Sequence, residues 1–213
     1  MKRIIIFSFA LIFCILLALP SSAAPIGGKC GEKAFWSYDT RTATLSICGT
    51  GTMYDYPFEA PWEDFKTEIR AVIVSGISNV GEFAFYGCEN LKNIYLGYTV
   101  KSIDYYAFKE CISLTNVYIP FGLKEIGWSA FENCTSLSGV GIPNTVVKIG
   151  DWAFAGCMGM KYVILPVSVK KIGNYAFNDV PCAIQYFGSV RQWSKVDTGY
   201  YNEWTNKVIC FCW

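Results

Sequence analysis

Apolar side chains along this chain fall into columns. Ala-Phe pairs stand at Ala84-Phe85, Ala107-Phe108, Ala130-Phe131, Ala153-Phe154 and Ala176-Phe177, 23 residues apart each time. Val80, Ile103, Ile126, Ile149 and Ile172 keep the same step, as do Cys88, Cys111, Cys134 and Cys157. Leu91, Leu114, Leu137 and Met160 form another column. Each period also contains a short alternating stretch, such as Leu91-Lys92-Asn93-Ile94-Tyr95-Leu96. Alternation predicts a strand with Ile94 and Leu96 facing a core and Asn93 and Tyr95 facing away. Pro120, Pro143 and Pro166 follow three of these strands and stop them, because proline cannot donate to a ladder.

One such unit cannot cover its own apolar face, so neighbours must stack on it. A step of 23 residues lies within the roughly 20–29 of leucine-rich repeats. The expected fold is therefore a repeat solenoid of leucine-rich-repeat type. It has mainly short parallel β-strands, an irregular convex side of turns, and little helix. Ile69, Val72 and Val74 begin the array with a step of 22, and Ala183, Ile184, Tyr186 and Gly188 form a degraded last strand. An open array leaves apolar surface and strand edges at both ends. Lys33–Tyr38 and Ala43–Cys48 alternate around Asp39-Thr40-Arg41 and predict a hairpin closing the N-terminal end. Trp193 and Trp204 are expected to cover the other end. The resulting division is 1–23 leader, 24–68 N-terminal β cap, 69–188 solenoid of about five units, and 189–213 C-terminal cap.

The recurring core, Ile126-Gly127-x-x-Ala130-Phe131-x-x-Cys134-x-x-Leu137-x-x-Val140-x-Ile142-Pro143, resembles that of the BspA-like leucine-rich-repeat family of secreted and surface proteins. The resemblance extends from about Cys30 to the C-terminus. Cys30-Gly31, Trp36, Gly49-Thr50-Gly51-Thr52-Met53 and Pro61-Trp62 look like the family's N-terminal cap, and Gln192-Trp193 belongs to what looks like its terminal repeat. Departures are modest: Asp104 stands in a glycine column, Met160 in a leucine column and Val180 in the cysteine column. The resemblance implies cell-surface interaction or adhesion, and the expected function is a binding module with no chemistry of its own.

Lys2 and Arg3 precede an apolar run from Ile4 to Leu19, and Ser21-Ser22-Ala23-Ala24 follows Pro20. This is the pattern of a secretory leader, with cleavage expected after Ala23. No second apolar run follows it, so no membrane span is expected after cleavage.

Composition narrows the function. The chain is 53% hydrophobic and 16% charged, which excludes a disordered polymer. Lys+Arg 18 against Asp+Glu 17 argues against a nucleic-acid partner. Histidine is absent, so Ser-His-Asp and Cys-His catalysis and histidine-ligated zinc are excluded.

Nine cysteines follow the leader, in an oxidising route. The four in the repeat column read as buried small apolar side chains rather than a metal or redox array. Parallel Cβ vectors about 4.8 Å apart do not suit a disulfide. Cys30 and Cys48 flank the hairpin and are candidates for a bridge, and Cys182 is a candidate partner of Cys210 or Cys212. Cys210-Phe211-Cys212 has no second pair with which to hold a metal. The carboxylates Glu59, Glu63, Asp64 and Glu68 raise a hydrolase reading, but nothing in their spacing fixes a catalytic pair. No catalytic residue, metal or cofactor is assigned.

The outward strand positions carry the functional reading: Asn93/Tyr95, Asn116/Tyr118, Gly139/Gly141, Tyr162/Ile164 and Gln185/Phe187. Tyr95, Tyr118, Tyr162, Ile164 and Phe187 are expected to form an apolar-aromatic patch notched at Gly139 and Gly141. Exposed tyrosine offers a large contact area with few rotamers. The ligand-binding candidates are Asn93, Tyr95, Asn116, Tyr118, Tyr162 and Ile164. The expected partner is an extracellular or cell-surface protein or glycan. The alternative is a structural role, with disulfide-linked self-association. A second aromatic group comprises Tyr105, Tyr106, Trp128, Trp152 and Tyr175, with Trp128 its most exposed member.

Overall fold

A computed structural model describes residues 26–57, 59–202 and 208–210. Residues 1–23, expected to be a leader, lie outside the described residues, as do Trp204 and Cys212. Three strands open the chain: β1 (Ile26–Lys29), β2 (Lys33–Asp39) and β3 (Thr44–Thr50). They pair antiparallel, and β3 then pairs parallel with β4 (Ala71–Ser75), setting Leu45 beside Val72 and Ile47 beside Val74. The hairpin thus continues the main sheet and hands its inward row directly to the first repeat.

The main ladder runs on through β6 (Asn93–Leu96) and β8 (Asn116–Tyr118). It resumes with β10 (Val140–Gly141), β12 (Val163–Leu165), β14 (Ile184–Tyr186) and β16 (Val208–Cys210). Between β8 and β10 the hydrogen-bonded ladder is interrupted. The interruption falls at the turn that supplies glycine, Gly139 and Gly141, at both outward positions.

The convex side holds more order than the sequence suggests. The two-residue strands β5 (Asn79–Val80), β7 (Ser102–Ile103), β9 (Glu125–Ile126), β11 (Lys148–Ile149), β13 (Lys171–Ile172) and β15 (Asp197–Thr198) form a second parallel sheet. The buried Val80–Ile172 column is its inward row. Two residues are too few for alternation to reveal a strand, so the sequence pointed only to turns on this side.

The core is a stack. Rings of Trp62, Phe85, Phe108, Phe131, Phe154 and Phe177 lie successively 5.5, 5.1, 5.3, 5.2 and 5.3 Å apart. Trp62 caps this stack: its indole N–H donates to the Ala84 carbonyl at 2.8 Å, and Trp36 packs edge-on against it. The cysteine column has a bonding role beyond packing. The thiols of Cys111, Cys134 and Cys157 each donate to the phenylalanine carbonyl of the preceding turn at 3.2 Å.

Two columns adopt left-handed backbone. One holds Gly87, Glu110, Asn133, Gly156 and Asp179, mostly residue types that tolerate φ > 0. The other holds Phe83, Tyr106, Ser129, Trp152 and Tyr175, with φ of 52–58°. Stacking supports these bulky side chains: Phe83 lies 4.7 Å from Tyr106, and Trp152 4.2 Å from Tyr175. Trp128 leans on Tyr106 at 5.3 Å and is 45% exposed as expected, but Tyr105 matches it at 44%.

Both ladders continue past residue 188. Helix α1 (Val190–Trp193) starts with a Ser189/Gln192 capping box, which satisfies otherwise orphaned N–H groups. Trp193 packs 5.0 Å from Tyr186, and the Asn202 amide donates to the carbonyls of Gly173 and Thr198. The candidate Cys30–Cys48 bridge does not form. Cys48 is paired with exposed Phe35 on the outer face of the hairpin, whereas Cys30 is a buried thiol in the core.

Candidate ligand-binding face

The site begins with the pleat. Ile94 and Leu96 are buried, so Asn93 and Tyr95 point out of the sheet. Parallel pairing sets Asn93 beside Asn116 and Tyr95 beside Tyr118. The two tyrosines are 57% and 63% exposed, far more than an inward ring. The Asn116 amide donates to Thr115 Oγ1 at 3.1 Å, and its Oδ1 accepts from Ser138 Oγ at 3.5 Å. The structure therefore brings four of the six candidates together on adjacent turns.

Tyr162 and Ile164 lie across the glycine turn. Val140 pairs with Val163 and Gly141 with Ile164. The Tyr162 ring covers Gly139: a Cβ there would stand 2.5–2.7 Å from three of its ring carbons. The expected notch is therefore half filled. Gly141 is its open half, with nothing within 4 Å of where a Cβ would stand. Phe187 leaves the row altogether. The last turn is two residues shorter, so Gln185 pairs with Ile164 and Tyr186 with Leu165. Phe187 then follows the prolines' column at the strand end.

Beside the main strands of the array, two exposed aromatic residues escaped the sequence reading. Tyr98 is 74% and Phe121 64% exposed. They occupy one column with Asn144 and Val167, each directly after Gly97, Pro120, Pro143 or Pro166. That shared column was the available signal, but alternation ends with the strand and does not reach it. Their turns are stacked, since a Cβ on Gly122 would lie 3.1 Å from the Tyr98 carbonyl oxygen.

Charge around this face is one-sided. Arg70, Lys92 and Lys161 stand at the strand beginnings, and Lys101, Lys124 and Lys170 in the turns after the strands, all exposed. Segments 69–78, 91–101, 114–124, 137–147 and 160–170 contain no Asp or Glu.

A separate crevice of about 260 Å³ lies where the cap meets the array, lined in part by Tyr56, Trp62, Glu63, Lys66, Phe83 and Tyr86. Lys66 pairs with Glu63 at 2.9 Å and sits 5.4 Å from the Tyr86 ring centre. Of the other acidic residues in that region, Glu68 accepts from the Tyr38 hydroxyl at 3.4 Å, and Glu59 and Asp64 are exposed. The ladder thiols are chemically muted: burial pushes Cys88 and Cys157 up to about 12 and raises Cys111 and Cys134 well above the ordinary thiol value. No helix among the described residues is long and apolar enough to cross a membrane.

Comparison with known proteins places these features. A family model described as "BspA type Leucine rich repeat region" matches residues 66–185 in six copies. No curated protein matches the chain. The crystal structure of a leucine-rich repeat protein from T. pallidum is similar, with 22% identity and a TM-score of 0.56, covering 78% of this chain and 94% of that one. A leucine-rich repeat protein from Eubacterium ventriosum aligns at 18% identity and a TM-score of 0.45, over 89% of this chain and 73% of that one.

Proposed function

This chain belongs to the BspA-type leucine-rich-repeat family, and from that premise we propose that it is a non-catalytic binding module acting outside the cell or at its surface. Its ligand, a protein or a glycan, seats on the outward face of the main sheet. The observation that carries this reading is the register of Tyr95 with Tyr118, two largely exposed rings held side by side on rigid strands. Asn93 and Asn116 add amide groups beside them, Tyr98 and Phe121 extend the aromatic surface, and Gly141 leaves an opening before Ile164 and Tyr162. Rings held by a ladder lose little freedom on contact, which favours recognition. The leader-like segment at 1–23 supports export.

The test is to apply the full chain to an array of purified extracellular-matrix proteins and glycans beside a Tyr95→Ala/Tyr118→Ala variant. The reading predicts at least tenfold weaker binding by the variant, with an unchanged circular dichroism spectrum. Equal binding by both proteins would move the site elsewhere.

A further inference from the structure

We propose that the ligand of the sheet face is an acidic polysaccharide, its carboxylates or sulfates held by the two cationic rims and its sugar rings lying on the aromatic rows. The proposal rests on the reading of this face as the binding surface and names the chemistry it takes.

Charge is segregated within each turn. Within the array every carboxylate, from Glu82 through Glu110 to Asp179, lies in the half of the turn away from the main strands. The cations of that half are paired: Lys109 with Glu132 at 2.9 Å, Lys148 with Glu125, and Lys171 with Asp197 at 3.9 Å. Those of the strand half are not. Among the described residues none of the six cations at its rims makes a salt bridge.

Stacking aggravates the imbalance. Arg70 and Lys92 are on adjacent turns, joined by the Lys92 N–H to Arg70 carbonyl bond of 2.9 Å. Lys101 and Lys124 are joined the same way at 2.7 Å. Like charges on neighbouring strands repel; only at Arg70 does a carboxylate stand near, Glu68 of the cap, which shares the Tyr38 hydroxyl's surroundings with it. The Lys101 ammonium lies over the next turn, 2.8 Å from where a Cβ would stand on Gly122, the residue after exposed Phe121. It also donates to the Tyr98 carbonyl at 3.5 Å. The cation therefore sits on the turns that carry the exposed Tyr98 and Phe121.

Repetition selects the class of anion. Adjacent turns present the same set by translation: Asn93 with Asn116, Tyr95 with Tyr118, Lys101 with Lys124. A polymer of identical charged units meets such a surface in register, and its sugar rings stack on aromatic faces while its hydroxyls bond to amides. An acidic polypeptide offers no such rings. Lysine ammonium groups suit carboxylate or sulfate as mobile point charges.

The test uses the full chain with four probes: heparin as the sulfated polymer, polygalacturonate as the carboxylated one, neutral dextran, and poly-glutamate as an acidic peptide. A Lys92→Gln/Lys101→Gln/Lys124→Gln variant is compared with Lys148→Gln/Lys171→Gln/Lys195→Gln, which loses the same charge elsewhere. The proposal predicts binding of heparin, polygalacturonate or both, none of dextran, at least tenfold loss in the first variant and under twofold in the second. Equal loss in both variants would reduce the effect to net charge and overturn it. So would poly-glutamate bound as tightly as the polysaccharides, or no acidic polysaccharide bound at all. The Tyr95→Ala/Tyr118→Ala variant separates this proposal from the reading beneath it. A matrix protein lost with the tyrosines, without polysaccharide binding, sinks the proposal and keeps the face. Polysaccharide lost with the lysines but retained by the tyrosine variant keeps the acidic ligand and removes the aromatic face.

Discussion

The inward phenylalanine column and the outward strand rows are built by the same translation, yet they differ in uniformity. Phe85, Phe108, Phe131, Phe154 and Phe177 are identical, and their rings stack within 4–10° of parallel. The outward rows read Asn, Asn, Gly, Tyr and Tyr, Tyr, Gly, Ile over the same turns. Inside, each side chain is the packing surface of the next, so a change in one turn is felt by two neighbours. Outside, solvent accepts any residue that suits a strand. Uniformity thus marks what the fold requires, and variation marks where a turn is free to serve something else.

The largest expected effect comes from breaking the inward column. Phe131→Ala should cost about 3–5 kcal/mol, read as a lowered midpoint in chemical denaturation. Removing the exposed Tyr118 ring should change stability by no more than about 0.5 kcal/mol. Equal costs would erase the distinction between column and row.

A smaller contrast lies among the glycines. A Cβ on Gly150 would stand 2.6–2.8 Å from the backbone of the turn below, at Gly127 and Trp128, whereas one on Gly141 meets nothing within 4 Å. Gly150→Ala should destabilise by about 1–3 kcal/mol, as overpacking does. Gly141→Ala should be nearly silent in thermal unfolding.

The cysteine column supplies a pH test. Burial raises the folded-state pKa of Cys88 and Cys157 from the ordinary thiol value of 9.0 to about 12. The protonated thiol is therefore favoured by folding. Its contribution is complete below about pH 9 and is lost as pH rises through the window toward 12. Stability should fall across that window, and a Cys88→Val/Cys157→Val variant, which copies the valine already present at Val180, should lose part of the slope. In the folded chain at pH 8 the ladder thiols should resist alkylation; rapid labelling would contradict their burial.

Periodicity made the solenoid, its inward columns and the paired Asn93/Asn116 and Tyr95/Tyr118 rows legible from the residues alone. What escaped depends on contacts between turns. The second sheet consists of two-residue strands, too short for alternation to register. The last turn's shortening placed Gln185 beside Ile164, a slip that only pairing reveals. The Tyr162 ring closed the notch at Gly139 from a neighbouring turn. Cys30 and Cys48 are close in sequence, but one is buried in the core and the other lies on the outer face of the hairpin. Tyr98 and Phe121 were overlooked because they follow the strand instead of alternating within it. The near-zero net charge likewise concealed cations gathered beside the main strands.

The central claim is that recognition belongs to the main sheet and not to the convex side. Its most direct test compares binding of two matched double variants to whichever matrix protein or glycan the wild-type chain captures. One is Tyr95→Ala/Tyr118→Ala on the main sheet. The other is Tyr105→Ala/Trp128→Ala, whose rings are also about half exposed but stand beside the second sheet. Recognition by the main sheet predicts at least tenfold weaker binding for the first and under twofold change for the second, with both proteins folded. The reverse pattern, or equal loss in the two, would contradict it.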